Sequence, residues 1–303
     1  MAGFDCDENS GERVNFRRVL AIPVLMAAAA ALTLTACGDE ESSGTLVRIG
    51  TTETDPQWDV FEEKAKEQGI TLKITRYSDY SQPNAALSQG QIDVNLFQHL
   101  QFLGQYNVAN DEDLTPIGAT QIVPLGLYSK KYTSVADFPA GAEIAIPNDP
   151  TNQARALFVL RKAGLVKLSS ETRAPSPADI DKAASRVRVT PVDAAQTALS
   201  LNSVDGSIVN NTFLLKSGID PKSAVYQDDP NDPGAEPYIN AFVTRAEDKT
   251  DPTYLKLVEI FHDPDVQQKV RENSKGTAVE VRRDGPALEQ ILSRVQQTIR
   301  EQK

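Results

Sequence analysis

The chain has 303 residues, enough for two domains or one large one, and 40% hydrophobic with 24% charged residues is the composition of a globular protein rather than a disordered or fibrous one. A formal charge of −11, from 31 Lys and Arg against 42 Asp and Glu, speaks against a protein that coats nucleic acid or spreads over an anionic bilayer. Two His and two Cys leave almost no room for a multi-ligand zinc or iron–sulfur site, so no metal or cofactor is expected.

Residues 19–34 form an uncharged run of 16, with Arg17 and Arg18 before it and Thr35-Ala36-Cys37 behind. A membrane-spanning helix needs about 20 apolar residues, so this shorter run with a cationic front reads as a secretory signal over residues 1–36. Export follows. Leu34-Thr35-Ala36-Cys37 resembles the lipobox of bacterial lipoproteins, in which cleavage before the Cys leaves its thiol carrying diacylglycerol; the alternative is an unmodified exported thiol. Asp5, Asp7, Glu8 and Glu12 do not suit the basic front of a signal, and translation beginning near Val14 would remove them. Residues 37–44 are small and polar and form a tether.

Beyond the tether, residues 46–50 alternate as a strand, and Trp58, Phe61 and Ala65 have helical spacing up to Gly69. A second strand is expected over 70–74, a short helix over 83–90 and a third strand over 92–97. Further strands are expected over 120–128, 143–147, 207–210 and 238–244, with a helix over 152–163 ending at Gly164. Residues 169–185 read as a surface excursion, and Leu288, Ile291, Leu292, Val295 and Ile299 mark a last amphipathic helix. Helices alternating with short apolar strands imply an α/β fold with a largely parallel sheet. The chain has two places to cross between lobes: Pro124-Leu125-Gly126-Leu127, and the Pro- and Asp-rich residues 228–237.

No GxSxG, HExxH, GxxxxGK[ST] or GxGxxG motif occurs. An exported, lipid-tethered α/β chain without these signatures reads as a binding protein rather than an enzyme.

Four segments sharpen this reading: Tyr77-Ser78-Asp79-Tyr80 with Pro83-Asn84-Ala85-Ala86-Leu87; Gly90-Gln91-Ile92-Asp93-Val94-Asn95-Leu96-Phe97-Gln98-His99; Pro147-Asn148-Asp149-Pro150-Thr151-Asn152 with Arg155; and Val209-Asn210-Asn211-Thr212-Phe213. With Tyr128-Ser129-Lys130-Lys131 and Pro237-Tyr238-Ile239-Asn240, they resemble the NlpA family, substrate-binding lipoproteins of methionine ABC importers. The resemblance implies a type II periplasmic-binding-protein fold, with residues 45–126 and 236–303 as one lobe, 127–235 as the other and the ligand between them. It also implies a membrane-anchored extracytoplasmic protein whose partners are methionine, a permease and its ATPase.

On its own, Arg155 is a solvated or salt-bridged surface residue; in the matched motif it forks onto an α-carboxylate, with Thr151 or Asn152 as the N-cap of a helix whose first turn adds an anion site. Asn210, at the carboxyl end of a strand, has the position that in the family binds the ligand's amino acid moiety. Asn152 either orders the loop or bonds the ligand, and Asn240 belongs to the same set. Tyr77, Tyr80, Phe97 and His99 sit at the ends of strands two and three, where similar residues line a methionine pocket; a thioether favours aromatic neighbours. The alternatives are core packing for Tyr77 and Phe97 and a structural hydrogen bond for His99. Glu53 and Asp55 replace a small turn, and Val123 an aromatic. The two acids either face water or recognise a cationic ligand, another amino acid or a methionine-containing dipeptide; a surface lipoprotein or enzyme that has lost transport is the remaining reading.

Overall fold

The computed structural model describes residues 44–301. The signal segment, Cys37 and most of the tether lie outside them.

Strand β1 (Thr45–Thr51) runs parallel to β2 (Ile70–Arg76), and α1 (Gln57–Glu67) connects them. Trp58, Phe61 and Ala65 of α1 are buried with Val47, Ile49, Leu72, Phe242 and Phe261, and the Trp58 and Phe61 rings meet edge-on at 5.6 Å. Truncating Phe61 to Ala in such a core costs about 3–5 kcal/mol. Past the helix, Gly69 adopts a φ of +73°, a left-handed conformation that costs glycine nothing.

The chain continues through α2 (Gln82–Ser88), β3 (Val94–Asn95), α3 (Leu100–Asn110), β4 (Thr115–Ala119) and β5 (Gln121–Ile122). It then enters β6 (Gly126–Tyr128), β7 (Ala142–Pro147), α4 (Pro150–Lys162), β8 (Val187–Val192), α5 (Thr197–Ser200), β9 (Gly206–Val209) and β10 (Tyr226–Gln227). After β11 (Ala241–Thr244) come α6 (Pro252–Phe261), α7 (Pro264–Asn273), β12 (Val279–Glu280) and α8 (Gly285–Glu301).

Two five-stranded sheets result, ordered β2-β1-β3-β11-β4 and β10-β6-β9-β7-β8, beside a small β5/β12 ladder. The neighbours of β1 and of β7 run parallel to them, as helical connections require, whereas β11 and β6 run antiparallel to theirs. These exceptions to a parallel sheet are the strands that first receive the chain after it crosses from one sheet to the other. The expected strand over 120–128 is interrupted for the same reason. Pro124 has no N–H for a ladder, and Val123-Pro124-Leu125 carries the chain across. The strand expected over 92–97 is two residues long, because the chain turns at Gln98 and His99 into α3. Likewise, residues expected to open the strand over 238–244 lie partly in the helical turn Pro233–Tyr238.

Candidate functional site

Where the two crossings pass between the sheets, the carboxyl end of β3, the start of α4 and the segment after β9 enclose a cavity. Its walls carry Tyr80, Phe97, His99, Asn152, Arg155, Asn210 and Asn240, and also Gln98, Phe102, Val123, Asn211 and Thr212. The space is tight, about 30 Å³, room for two or three water-sized groups at about 10–15 Å³ each.

Tyr77 is a correction to the expected set. It packs with Ala86, Leu87, Ile92 and Leu103 beneath α2 rather than on the cavity wall, since the residue after β2 points into that cluster. Glu53 and Asp55 do not line the cavity either. Glu53 Oε2 accepts from Trp58 Nε1 at 3.2 Å, and Gln57 Nε2 reaches Asp55 Oδ2 at 3.3 Å. Burial and the neighbouring Asp55 push the Glu53 carboxyl up to about 8, and burial raises Asp55 as well.

Helix α4 begins differently from its expected start. Pro150 occupies the first turn and Asp149 is the N-cap, its carboxylate accepting from Asn152 N–H at 2.9 Å. Thr151 Oγ1 and Asn152 Nδ2 donate to the same carboxylate at 2.9 and 3.0 Å. A resident carboxylate, with its pKa raised by burial, therefore occupies the helix N-terminus. Arg155 stands on the second turn, only 3% exposed.

Asn152 is consumed as an organiser. While its Nδ2 holds Asp149, its Oδ1 accepts from Asn210 Nδ2 at 2.9 Å and faces His99 Nε2 at 3.4 Å. His99 caps α3, its Nδ1 accepting Phe102 N–H at 3.1 Å, which assigns the ring proton to Nε2. Burial, aided by the Arg155 charge, lowers His99 to about 3, so the imidazole is neutral. Asn210 Oδ1 is buried and has no hydrogen-bond partner among the described residues. The Asn240 side chain is loosely held, with Nδ2 3.4 Å from Gln121 O. Around these amides stand Tyr80, Phe97, Phe102 and Phe213; Tyr80 lies 6.1, 5.9 and 5.3 Å from the other three ring centres, respectively.

Chemically, the cavity offers the Arg155 guanidinium, a buried amide oxygen without a partner among the described residues and an aromatic wall. That set suits a small zwitterion with an apolar side chain. Phe102 and Gln98 were missed in the sequence. Gln98 adjoins His99, but Phe102 sits on a helix whose central Gly104 reads as a breaker. In the fold that glycine is required, because a Cβ there would come within 2.6 Å of Val295 on α8.

A family model described as NlpA lipoprotein matches residues 47–282. The D-methionine-binding lipoprotein MetQ of Salmonella typhi is 31% identical over 255 residues, 82% of this chain and 93% of that relative. The substrate-binding protein of a methionine transporter from Streptococcus pneumoniae is 38% identical with a TM-score of 0.72, over 78% of this chain and 95% of that one. A nutrient-binding protein from Burkholderia cenocepacia, solved bound to methionine, is 33% identical with a TM-score of 0.71, over 77% of this chain and 99% of that one. The mixed α/β chain thus has the fold of periplasmic substrate-binding proteins. Among the described residues, no helix is long and apolar enough to cross a membrane.

Proposed function

Because this chain belongs to the NlpA lipoprotein family, we propose that it is the lipid-anchored, extracytoplasmic substrate-binding subunit of an ABC importer for methionine. It captures methionine between two lobes, residues 45–126 with 236–303 and residues 127–235, and hands it to a permease driven by an ATPase. It catalyses no reaction itself. Cys37 carries the anchor, and the polar residues after it are the tether.

The observation that carries this reading is the meeting, in one cavity, of the Arg155 cation with an Asn210 Oδ1 that has no partner among the described residues, beside a wall of aromatic rings. A free amino acid brings an anion for the first, an ammonium donor for the second and a side chain for the third. Methionine is favoured because a thioether gains roughly 0.3–1.5 kcal/mol against an aromatic ring without needing a polar partner, and because relatives from Salmonella typhi and Burkholderia cenocepacia are named for it or bound to it. Asn152 holds Asn210 in place, His99 Nε2–H steadies Asn152 and Asn240 closes the rim. A cavity of about 30 Å³ admits such a ligand only when the lobes part at residues 123–125 and 228–240.

Mass spectrometry of the small molecules that leave the purified protein on denaturation tests the assignment. Methionine is the expected species. A dipeptide, a cationic amino acid or a non-amino-acid ligand in its place would reject it.

A further inference from the structure

The Arg155 guanidinium is fixed on several sides. In its plane, Nε donates to Asp228 Oδ2 at 2.7 Å, and Nη2 donates to Asp228 Oδ1 at 3.2 Å and to Val123 O at 2.9 Å. Out of its plane, the Tyr238 ring centre lies 4.0 Å from Cζ. Asp228 is anchored in turn, because Leu125 N–H donates to its Oδ1 at 2.7 Å. Val123 and Leu125 lie on the first crossing between the sheets, Asp228 and Tyr238 on the second, and Arg155 on α4. One ion pair therefore joins both crossings to the helix that carries the cation.

We infer that Asp228 is a positioning residue for recognition of the ligand's carboxylate: it clamps Arg155 through Nε and Nη2, leaves Nη1 for the ligand, and ties that group to both crossings through Leu125. The inference rests on the reading of Arg155 given above. Freed of this clamp, a long side chain samples other rotamers, and its guanidinium no longer stands where it meets the ligand's carboxylate. Simple charge balance argues the opposite outcome. An Arg155 stripped of its counter-ion would attract a carboxylate more strongly, so the sign of the effect separates a clamp from a counter-charge.

The test is calorimetric titration of the unaltered protein, Asp228→Asn and Asp228→Glu with methionine and with methioninamide, which lacks the carboxylate, together with a thermal melt of each protein. Asp228→Asn is expected to weaken methionine by about tenfold or more, the range of a lost charge-assisted hydrogen bond, while methioninamide changes less than about threefold. Asp228→Glu, which keeps the charge, is expected to recover most of the loss. Equal losses for the two ligands would reduce Asp228 to a structural part, and unchanged or tighter methionine binding would make it a counter-charge; either overturns the inference. If Asp228→Asn does not fold, Asp228→Ser, which keeps an acceptor for Leu125 N–H, replaces it. Failure of the unaltered protein to bind methionine would strike the functional reading instead.

Discussion

Asn210 Nδ2 donates to Asn152 Oδ1 at 2.9 Å, joining the end of β9 to the first turn of α4, and this bond turns the Asn210 amide so that its oxygen is left buried and without a partner among the described residues. A buried acceptor without a donor carries a desolvation cost of about 1–3 kcal/mol, which a hydrogen-bond donor on a bound ligand would relieve.

Asn210→Ala removes that acceptor. Binding of a free amino acid is expected to weaken by about 1.5–3 kcal/mol, the worth of a hydrogen bond to a charged group. The N-acetylated amino acid, which has no ammonium, should bind poorly to both proteins, and calorimetry on the pair of ligands checks this.

Arg155→Ala is expected to cost about 2–5 kcal/mol of binding, since it removes one partner of a desolvated charge pair. It also strands the Asp228 carboxylate, 2.7 Å from Nε in the native pair. The melting temperature should therefore fall as well, and methionine should no longer raise it. A thermal-shift titration reads both effects.

The reach of the sequence differs between these residues. Arg155 was singled out only by the resemblance of the Pro-Asn-Asp-Pro-Thr-Asn run, and Asn210 also by its place at the end of a buried strand, where α/β folds put ligands; the structure sets both on the cavity wall. Asp228 was not, because it lies in an irregular acidic segment, and its partnership with Arg155 spans 73 residues. The cap of α4 was misplaced by two or three positions. Pro150 fixes the first helical residue, so the cap is the Asp before it rather than the Thr or Asn after it. Tyr77 and Phe102 exchanged roles for a related reason: which side of a strand end faces a cavity depends on the helix packed there, and α3 was hidden by Gly104.

These two aromatics give a paired prediction. Phe102→Ala is expected to weaken methionine through loss of a ring on the cavity wall while sparing protein stability more than a core truncation would, because Phe102 is only half-buried. Tyr77→Phe, away from the cavity, should leave affinity unchanged. Parallel titrations decide it, and a loss confined to Tyr77→Phe would reverse the assignment.

Stability should depend on pH with opposite signs on two sides. His99 is lowered from 6.5 to about 3 by burial, so its contribution is present above pH 6.5 and is lost as pH falls below that value. Glu53 is raised from 4.5 to about 8. Its contribution is present below pH 4.5 and is lost as pH rises toward 8, because the folded state holds a proton that the unfolded state has released. Between pH 6.5 and 8.5 the His99 effect is complete and the Glu53 effect still changes, so the melting temperature is expected to fall across that window. Glu53→Gln should flatten the fall when melts are compared across buffers.

Titration of ligand-free, refolded protein with methionine, alongside leucine, glutamine and lysine, tests the central claim most directly. One saturable site for methionine, tighter than for the other three and lost in Arg155→Ala, is the predicted result. Saturable binding of lysine with none of methionine, or methionine binding that survives Arg155→Ala unchanged, would contradict it.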